Sequence, residues 1–191
     1  MYTDSKTRYV IANSLKELLE SKRFEKITIK NIVEHCGLNR QTFYYYFQDK
    51  YELVNWIYDT EVDDYLIVPK SREDGYFNIT VVIKRIYLNK AFYRKILTSD
   101  NSQDFRNHML SQMRKHTRNL IEYNTRTGNA DNALREFCID YISYAYIGTI
   151  FRWIENDTGM SPETLSKFLF SLTDTSFFKI MDQLSGEKSK N

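Results

Sequence analysis

Arg40 and Gln41 stand side by side in the sequence, and their side chains suit the reading of base edges. A guanidinium can bond guanine O6 and N7 together, and a carboxamide can do the same with adenine N6 and N7. The residues around them supply the parts of a mount. Asn39 is a good N-cap for a helix beginning Arg40-Gln41-Thr42. Gly37 stands two positions earlier, where a preceding helix would end at positive φ. Leu38 lies between them and can plug the corner. Upstream, Ile29, Ile32, Val33 and Cys36 fall at i, i+3, i+4 and i+7, one apolar stripe on a short helix capped by Thr28. Downstream, Phe43 and Phe47 share one face, which leaves Arg40, Gln41 and Tyr44 pointing elsewhere. Two short helices joined by a glycine-containing turn predict a helix-turn-helix. Such a motif places the first side chains of its second helix in the DNA major groove. Thr28, beside the free N–H groups of a helix start, is both a cap and a potential phosphate contact.

Other chemistry finds no comparable arrangement. His35, His108 and His116 lack metal-site spacing, so no metal is expected. There is no HExxH, GxSxG, CxxC or glycine-rich phosphate loop. The pairs Asp63-Asp64 and Glu73-Asp74 fit a helix end and a loop better than acid–base work. The expectation is a protein that is not an enzyme and has no cofactor. Cys36 and Cys138 lie far apart and are expected to be reduced and buried. A run of aromatics can also stack on single-stranded bases, but helical spacing requires two of the five rings at 43–47 inside.

The elements that must hold the motif are helical. Of 191 residues only two are Pro and six Gly, while 42% are hydrophobic and 15% aromatic. That composition favours long helices over a turn-rich β fold. The N-terminus is polar, and no run of about 18 apolar residues exists, so a cytoplasmic protein without a membrane segment is expected. The first helix carries Ile11, Leu15, Leu18 and Leu19 on one face, and Phe24 anchors the polar connection after it. A fourth helix, capped by Asp49, carries Leu53, Val54, Ile57 and Tyr58 and is predicted to reach Tyr65 or Leu66. Val68 to Gly75 is the strongest break. Helices are then predicted over 78–98, with a bend at Asn89-Lys90, over 102–123, over 132–155, and from Pro162 onward behind the cap Ser161. The predicted organisation is a helix-turn-helix domain at 1–50 and a helical regulatory and dimerisation domain at 51–191, with the helix over 49–66 as connector.

Residues 132–155 are apolar on nearly all sides. Phe137, Tyr141, Tyr144, Gly148 and Phe151 form one stripe, and Ile139, Ile142, Tyr146, Ile150 and Trp153 another. A helix apolar all round is buried all round, so one stripe is expected in the core and the other against a second copy of the chain. The interface set chosen is Tyr146, Ile150 and Trp153, with Phe170 and Phe177 on the last helix. Phe92, Phe105, Met109, Met113, Tyr141 and Tyr144 are candidates for lining a small-molecule cavity, with ordinary core packing as the competing reading.

The net charge of the whole chain is +2, and residues 1–60 hold nine Lys/Arg against eight Asp/Glu. A general positive field is therefore not the source of affinity. Residues 84–118 are more basic, with nine Lys/Arg against Asp100 and Asp104. A solvated helix face is the ordinary reading of that segment. An anionic partner or extra DNA phosphate contacts is the sharper one.

Residues 5–58 resemble the TetR-type regulators. The resemblance rests on Thr28, on Cys36-Gly-Leu-Asn39, and on Tyr44, Phe47, Lys50 and Leu53, which match that family's Tyr-x-x-Phe-x-x-Lys-x-x-Leu signature. The remainder is similar in being all-helical, with Gly148-x4-Trp153 before a Ser-Pro-Glu helix. The resemblance implies an all-α fold and a homodimeric regulator of transcription, expected to be a repressor. It would bind a double-stranded DNA operator and answer to a small-molecule effector in its C-terminal domain. By matching position, Thr28, Tyr44 and Lys50 would contact phosphates, and Arg40, Gln41 and Tyr45 would approach base edges. With Lys30, Asn39 and Thr42 these form the expected DNA-binding set. The form Arg40-Gln-Thr-Phe-Tyr44 with Trp56-Ile-Tyr58 is also similar to a subgroup that includes regulators of dihydroxyacetone kinase operons. Some members there are co-activators that act through a partner regulator protein, which is the alternative function.

Overall fold

In the computed structural model the backbone is described for residues 2–124, 132–156 and 158–184, and side chains for 5–71, 73–123, 132–156 and 158–173. Regular structure among these residues is entirely helical, which is the predicted fold class. The helices are α1 (Tyr2–Ser21), α2 (Ile29–His35), α3 (Arg40–Tyr46), α4 (Lys50–Glu61), α5 (Arg72–Leu88), α6 (Lys90–Leu97), α7 (Ser102–Asn124), α8 (Asn132–Glu155) and α9 (Pro162–Leu184). Short 3-10 turns occupy Phe24–Lys26 and Asp63–Tyr65. The chain groups into two compact units, each discontinuous in sequence: residues 1–61 with 89–108, and residues 62–88 with 109–191.

In the first unit α1 contacts α2, α4 and α6, and α2 contacts α3. Ile11, Leu15 and Leu19 of α1, Ile32 of α2, Phe43 of α3, Leu53 and Ile57 of α4, and Ile96 of α6 are fully buried. Each such side chain stabilises the fold by about 1.5–3 kcal/mol through burial. Ser14 ties α1 to α2 by donating to the Ile32 carbonyl at 2.8 Å. Tyr58, Tyr93 and Phe105 pack ring on ring, with Tyr93 and Phe105 stacked at 6.1 Å. The Tyr93 hydroxyl is buried without a hydrogen-bond partner, and that burial pushes its pKa well up.

In the second unit α5 lies along α9. Gly75 falls inside α5 and not in a loop, and a Cβ there would stand 3.2 Å from the Phe170 ring. The absent side chain lets the two helices close, so the break predicted at Val68–Gly75 ends at Arg72. Helix α4 also stops sooner than predicted, at Glu61. Two aspartates at the negative end of a helix dipole disfavour its extension, and His116 Nε2 holds Asp63 at 2.6 Å beyond the end.

Burial on α8 runs against the interface set expected from the sequence. Tyr146, Ile150 and Trp153 face the core of their own unit, with Trp153 only 2% exposed. Tyr146 donates to the Leu169 carbonyl at 3.3 Å and accepts from Thr173 at 2.8 Å, and Trp153 donates to the Met160 carbonyl at 2.8 Å. Phe170 is half-buried against the Tyr76 ring at 5.5 Å. The Phe177 side chain lies outside the described residues. The exposed stripe is the other one: Phe137, Tyr141 and Tyr144, with Phe168 and Leu172 exposed on α9. Periodicity alone gave the two stripes equal claim, and the contacts of α8 with α5, α7 and α9 decide between them.

The six residues expected to line a cavity are divided between the two units. Phe92 and Phe105 are buried packing residues of the first unit. In the second, Met109 is buried, Met113 half-buried, and Tyr141 and Tyr144 face solvent. The basic segment 84–118 is largely engaged within the protein. Lys84 pairs with Glu163 at 3.1 Å, and Arg85 lies 3.4 Å above the Tyr65 ring. Arg106 donates to the Leu97 carbonyl, Arg114 pairs with Asp140, and Arg118 grips both oxygens of Glu136.

Candidate nucleic-acid interface

Residues 28–50 are held by a closed series of helix ends. Thr28 and Asn31 form a reciprocal cap on α2: the Asn31 N–H donates to Thr28 Oγ1 at 3.2 Å, and the Thr28 N–H to Asn31 Oδ1 at 3.0 Å. This is the capping box with Asn in the position usually taken by Glu or Gln. At the other end Gly37 takes φ 68°. The Leu38 N–H bonds the Val33 carbonyl at 2.8 Å and the Gly37 N–H the Glu34 carbonyl at 3.3 Å, a Schellman closure. Asn39 then caps α3, its Oδ1 accepting from the Thr42 N–H at 2.8 Å and the Thr42 hydroxyl at 3.1 Å. Asp49 accepts from the Tyr51 and Glu52 N–H groups, both at 2.8 Å, to start α4, while Glu52 reaches back to the Gln48 N–H.

With its ends fixed, α3 sorts its side chains. Phe43 and Phe47 are 0% and 2% exposed, and their rings pack 5.8 Å apart. Arg40, Gln41, Tyr44 and Tyr45 are exposed, Tyr45 by 73%. Lys30 is exposed on α2 and pairs with Glu34 one turn on, at 3.6 Å. The structure thus brings Arg40, Gln41, Tyr44 and Tyr45 onto the open side of one short helix. Asn39 and Thr42 are engaged with each other at its start.

Lys50 sits differently from the rest of the expected set. Its ammonium is turned inward and donates to the carbonyls of Phe24 at 2.7 Å, Ile27 at 2.9 Å and Glu25 at 3.4 Å. Burial lowers its pKa, and the Glu25 charge opposes that shift. Glu25 is itself held below the ordinary carboxylate range, first by a bond from its own backbone and also by the Asp100 N–H at 3.0 Å. Ser14, Asn31 and Glu52 are supporting residues that periodicity does not single out. Only Asn31 and Glu52 carry a signal, each standing at capping distance from its partner.

The three histidines each meet a carboxylate. His35 lies 3.7 Å from Glu17, His108 2.6 Å from Asp59 and His116 2.6 Å from Asp63. Among the described residues no group of three or more His, Cys, Asp or Glu gathers as a metal site. Cys36 is half-buried and Cys138 buried, both as free thiols.

Residues 12–57 match the family model described as bacterial regulatory proteins, tetR family, and residues 77–175 match a transcriptional regulator C-terminal region. Over 98 residues the chain is 35% identical to the HTH-type dhaKLM operon transcriptional activator DhaS of Lactococcus lactis. That match covers 50% of this chain and 51% of that protein, so the chain spans about half the length of the curated relative it matches. A solved structure titled dihydroxyacetone kinase operon activator DhaS superposes with a TM-score of 0.69 at 25% identity, covering 91% of this chain and 97% of that one. A TetR transcriptional regulator from Streptococcus agalactiae shares the fold, with a TM-score of 0.57, 19% identity and coverage of 90% and 95%. The two matched regions together take in both the capped reading motif and most of the helices after it, and the chain belongs to the TetR family of bacterial transcriptional regulators.

Proposed function

We propose that this regulator acts as a homodimer on a near-palindromic operator, with α3 of each subunit in the major groove of one half-site. Half-sites would lie about 34–36 Å apart, one duplex turn. The observation that supports this most is the sorting of α3, with Phe43 and Phe47 inside and Arg40, Gln41, Tyr44 and Tyr45 outside between two capped ends. In this reading Arg40, Gln41 and Tyr45 meet base edges. Thr28 and Tyr44 meet phosphates, Lys30 flanks them, and Asn39 and Thr42 set the angle of the helix. Residues 1–50 then serve DNA reading, and residues 51–191 regulation and dimerisation, in a cytoplasmic protein.

The second copy is proposed to cover Phe137, Tyr141 and Tyr144 of α8 with Phe168 and Leu172 of α9. Large apolar side chains grouped on two adjacent helices are the kind of surface that marks an interaction site. Repression is the function expected from the sequence. The 35% identical relative is named an activator, which favours activation here, either directly or through a partner regulator. A small-molecule effector rests on the family resemblance, and its binding would be reciprocally coupled to DNA binding.

A band shift with the purified protein on the DNA upstream of its own gene tests the reading. Wild type should give a discrete complex, and Arg40→Ala should lose about 1–3 kcal/mol of specific binding. Equal affinity of that variant for the site removes Arg40 from base reading. No shift by the protein alone, with a shift restored by a neighbouring regulator, selects the co-activator reading. A reporter fused to that promoter, in cells with and without the gene, gives the sign of regulation.

A further inference from the structure

The chain passes between the two units three times, after Glu61, before Asn89 and after His108. At each passage the residue of the first unit is held by a side chain of that same unit. Lys16 of α1 holds two of them. Its ammonium meets the Glu61 carboxylate at 2.5 Å and donates to Asn89 Oδ1 at 3.1 Å. The third is held from α4, where Asp59 Oδ1 lies 2.6 Å from His108 Nε2. Glu61 and Asn89 stand 45 and 73 positions after Lys16, so neither bond belongs to a helix turn or a loop closure.

Both partners of Lys16 sit at helix ends that lack their ordinary support. Glu61 is the last residue of α4, where a carboxylate meets the negative end of the helix dipole. Asn89 is the single residue between α5 and α6. It stands at the N-cap of α6, where an asparagine ordinarily accepts from the second or third N–H of the helix. Its side chain makes no such bond, and its oxygen is turned to Lys16. One ammonium thus offsets the charge at the end of α4 and fixes the residue that opens α6. Beneath it lie rings of the same unit. Lys16 Nζ is 5.5 Å from the Phe92 centroid, Phe92 meets Tyr93 edge-on, and Tyr93 stacks on Phe105. Lys16 is half-buried, so salt screens its pairing less than that of an open surface pair.

We infer that Lys16 is a positioning residue for operator reading, which stiffens the ends by which the reading unit is joined to the rest of the chain. This role rests on the proposed reading of two half-sites by two subunits. Two heads engage two half-sites together only when the distance between them is set. Loose attachments leave that distance to be fixed on binding, at an entropic cost. A head on one half-site alone has no such requirement. Lys16 therefore matters for the whole operator and not for half of it, which a residue that merely supports the fold of the reading head would not do.

The experiment titrates wild type, Lys16→Met and Lys16→Arg with two fluorescent duplexes, the upstream site that the protein protects and the same site cut at its centre. Amide exchange of the free proteins is followed alongside. Methionine removes the charge and keeps an unbranched side chain over Phe92. Arginine keeps the charge and has donors for both partners. Lys16→Met should bind the whole site several-fold more weakly and the halved site as wild type does. Its exchange should be faster over residues 59–62 and 89–92 and unchanged over 28–47. Lys16→Arg should match wild type in every measurement. Equal weakening of Lys16→Met on the two duplexes overturns the inference, because the fault then lies inside the reading head. Wild-type affinity of Lys16→Met for the whole site overturns it as well, as does a Lys16→Arg variant that behaves like Lys16→Met. Unchanged exchange over 59–62 and 89–92 in Lys16→Met does the same, and that arm needs no DNA. A wild type that binds the halved site as tightly as the whole refutes the two-head reading instead, and the exchange arm still decides what Lys16 holds.

Discussion

Helix α3 runs seven residues between two closed ends, whereas α8 runs 24 residues and carries apolar side chains on nearly every side. In α3 the geometry of the ends decides the outcome. Once Asn39 and the Gly37 turn set where the helix starts, a four-residue spacing puts Phe43 and Phe47 inside together. In α8 the ends decide nothing about the faces. Burial there is settled by contact with α5, α7 and α9, and the stripe left over remains in water unless a second molecule covers it. A short helix in a turn motif is fixed locally, and a long apolar helix is fixed by its neighbours.

The largest effects should come where that contrast is pressed hardest. Trp153→Glu should abolish folding, since the loss of the indole costs about 3–5 kcal/mol before the penalty of burying a carboxylate. Tyr141→Glu, at a site 60% exposed, should fold normally and sediment as a monomer. A folded Trp153→Glu protein, or a dimer that persists in Tyr141→Glu, would break the assignment of the two stripes. Within α3 the same division predicts unequal neighbours. Phe43→Ala should lower stability by about 3–5 kcal/mol in urea unfolding. Tyr45→Ala, on the open side of the helix, should stay within about 0.5 kcal/mol of wild type. Similar losses for the two would mean that α3 is not sorted as described.

Smaller effects sharpen the role of the ends. Asn39→Ala should cost about 1 kcal/mol in the same assay, and no loss would show that packing of Phe43 alone fixes the start of α3. The smallest effect is one of pH. The Glu25 carboxyl is held below its ordinary value near 4.5, so it contributes stability above that pH. The contribution is lost as the pH falls through the lower, folded-state value. Glu25→Gln should remove this part of the acid dependence, and an unaltered profile would show that the bonds from its own backbone and from the Asp100 N–H add nothing.

Much of the reading motif was legible in advance because its signals are local. Gly37, Asn39, Thr28 and the spacing of Phe43 and Phe47 each act within one turn of chain, and each has a single structural consequence. The start of α9 at Ser161 and Pro162 was legible for the same reason: the Ser161 hydroxyl accepts from the Thr164 N–H at 3.2 Å. Lys50 was not. Its carbonyl partners lie 23 to 26 residues earlier in the chain, and no periodicity links such positions. Tyr146, Ile150 and Trp153 were misassigned because hydrophobicity reports that a side chain leaves water and is silent on which surface receives it. Gly75 was read as a breaker, but the close passage of the Phe170 ring accounts for it.

The capped ends of α3 have a thermodynamic consequence. A helix of seven residues is too short to persist in water unaided, yet here it is already formed and its exposed side chains are already presented. Ordering entropy is therefore charged to the folding of the protein and not to its encounter with the duplex. Calorimetry of operator binding should show a heat-capacity change set by the surface removed from water, without the added increment of a segment that folds on contact.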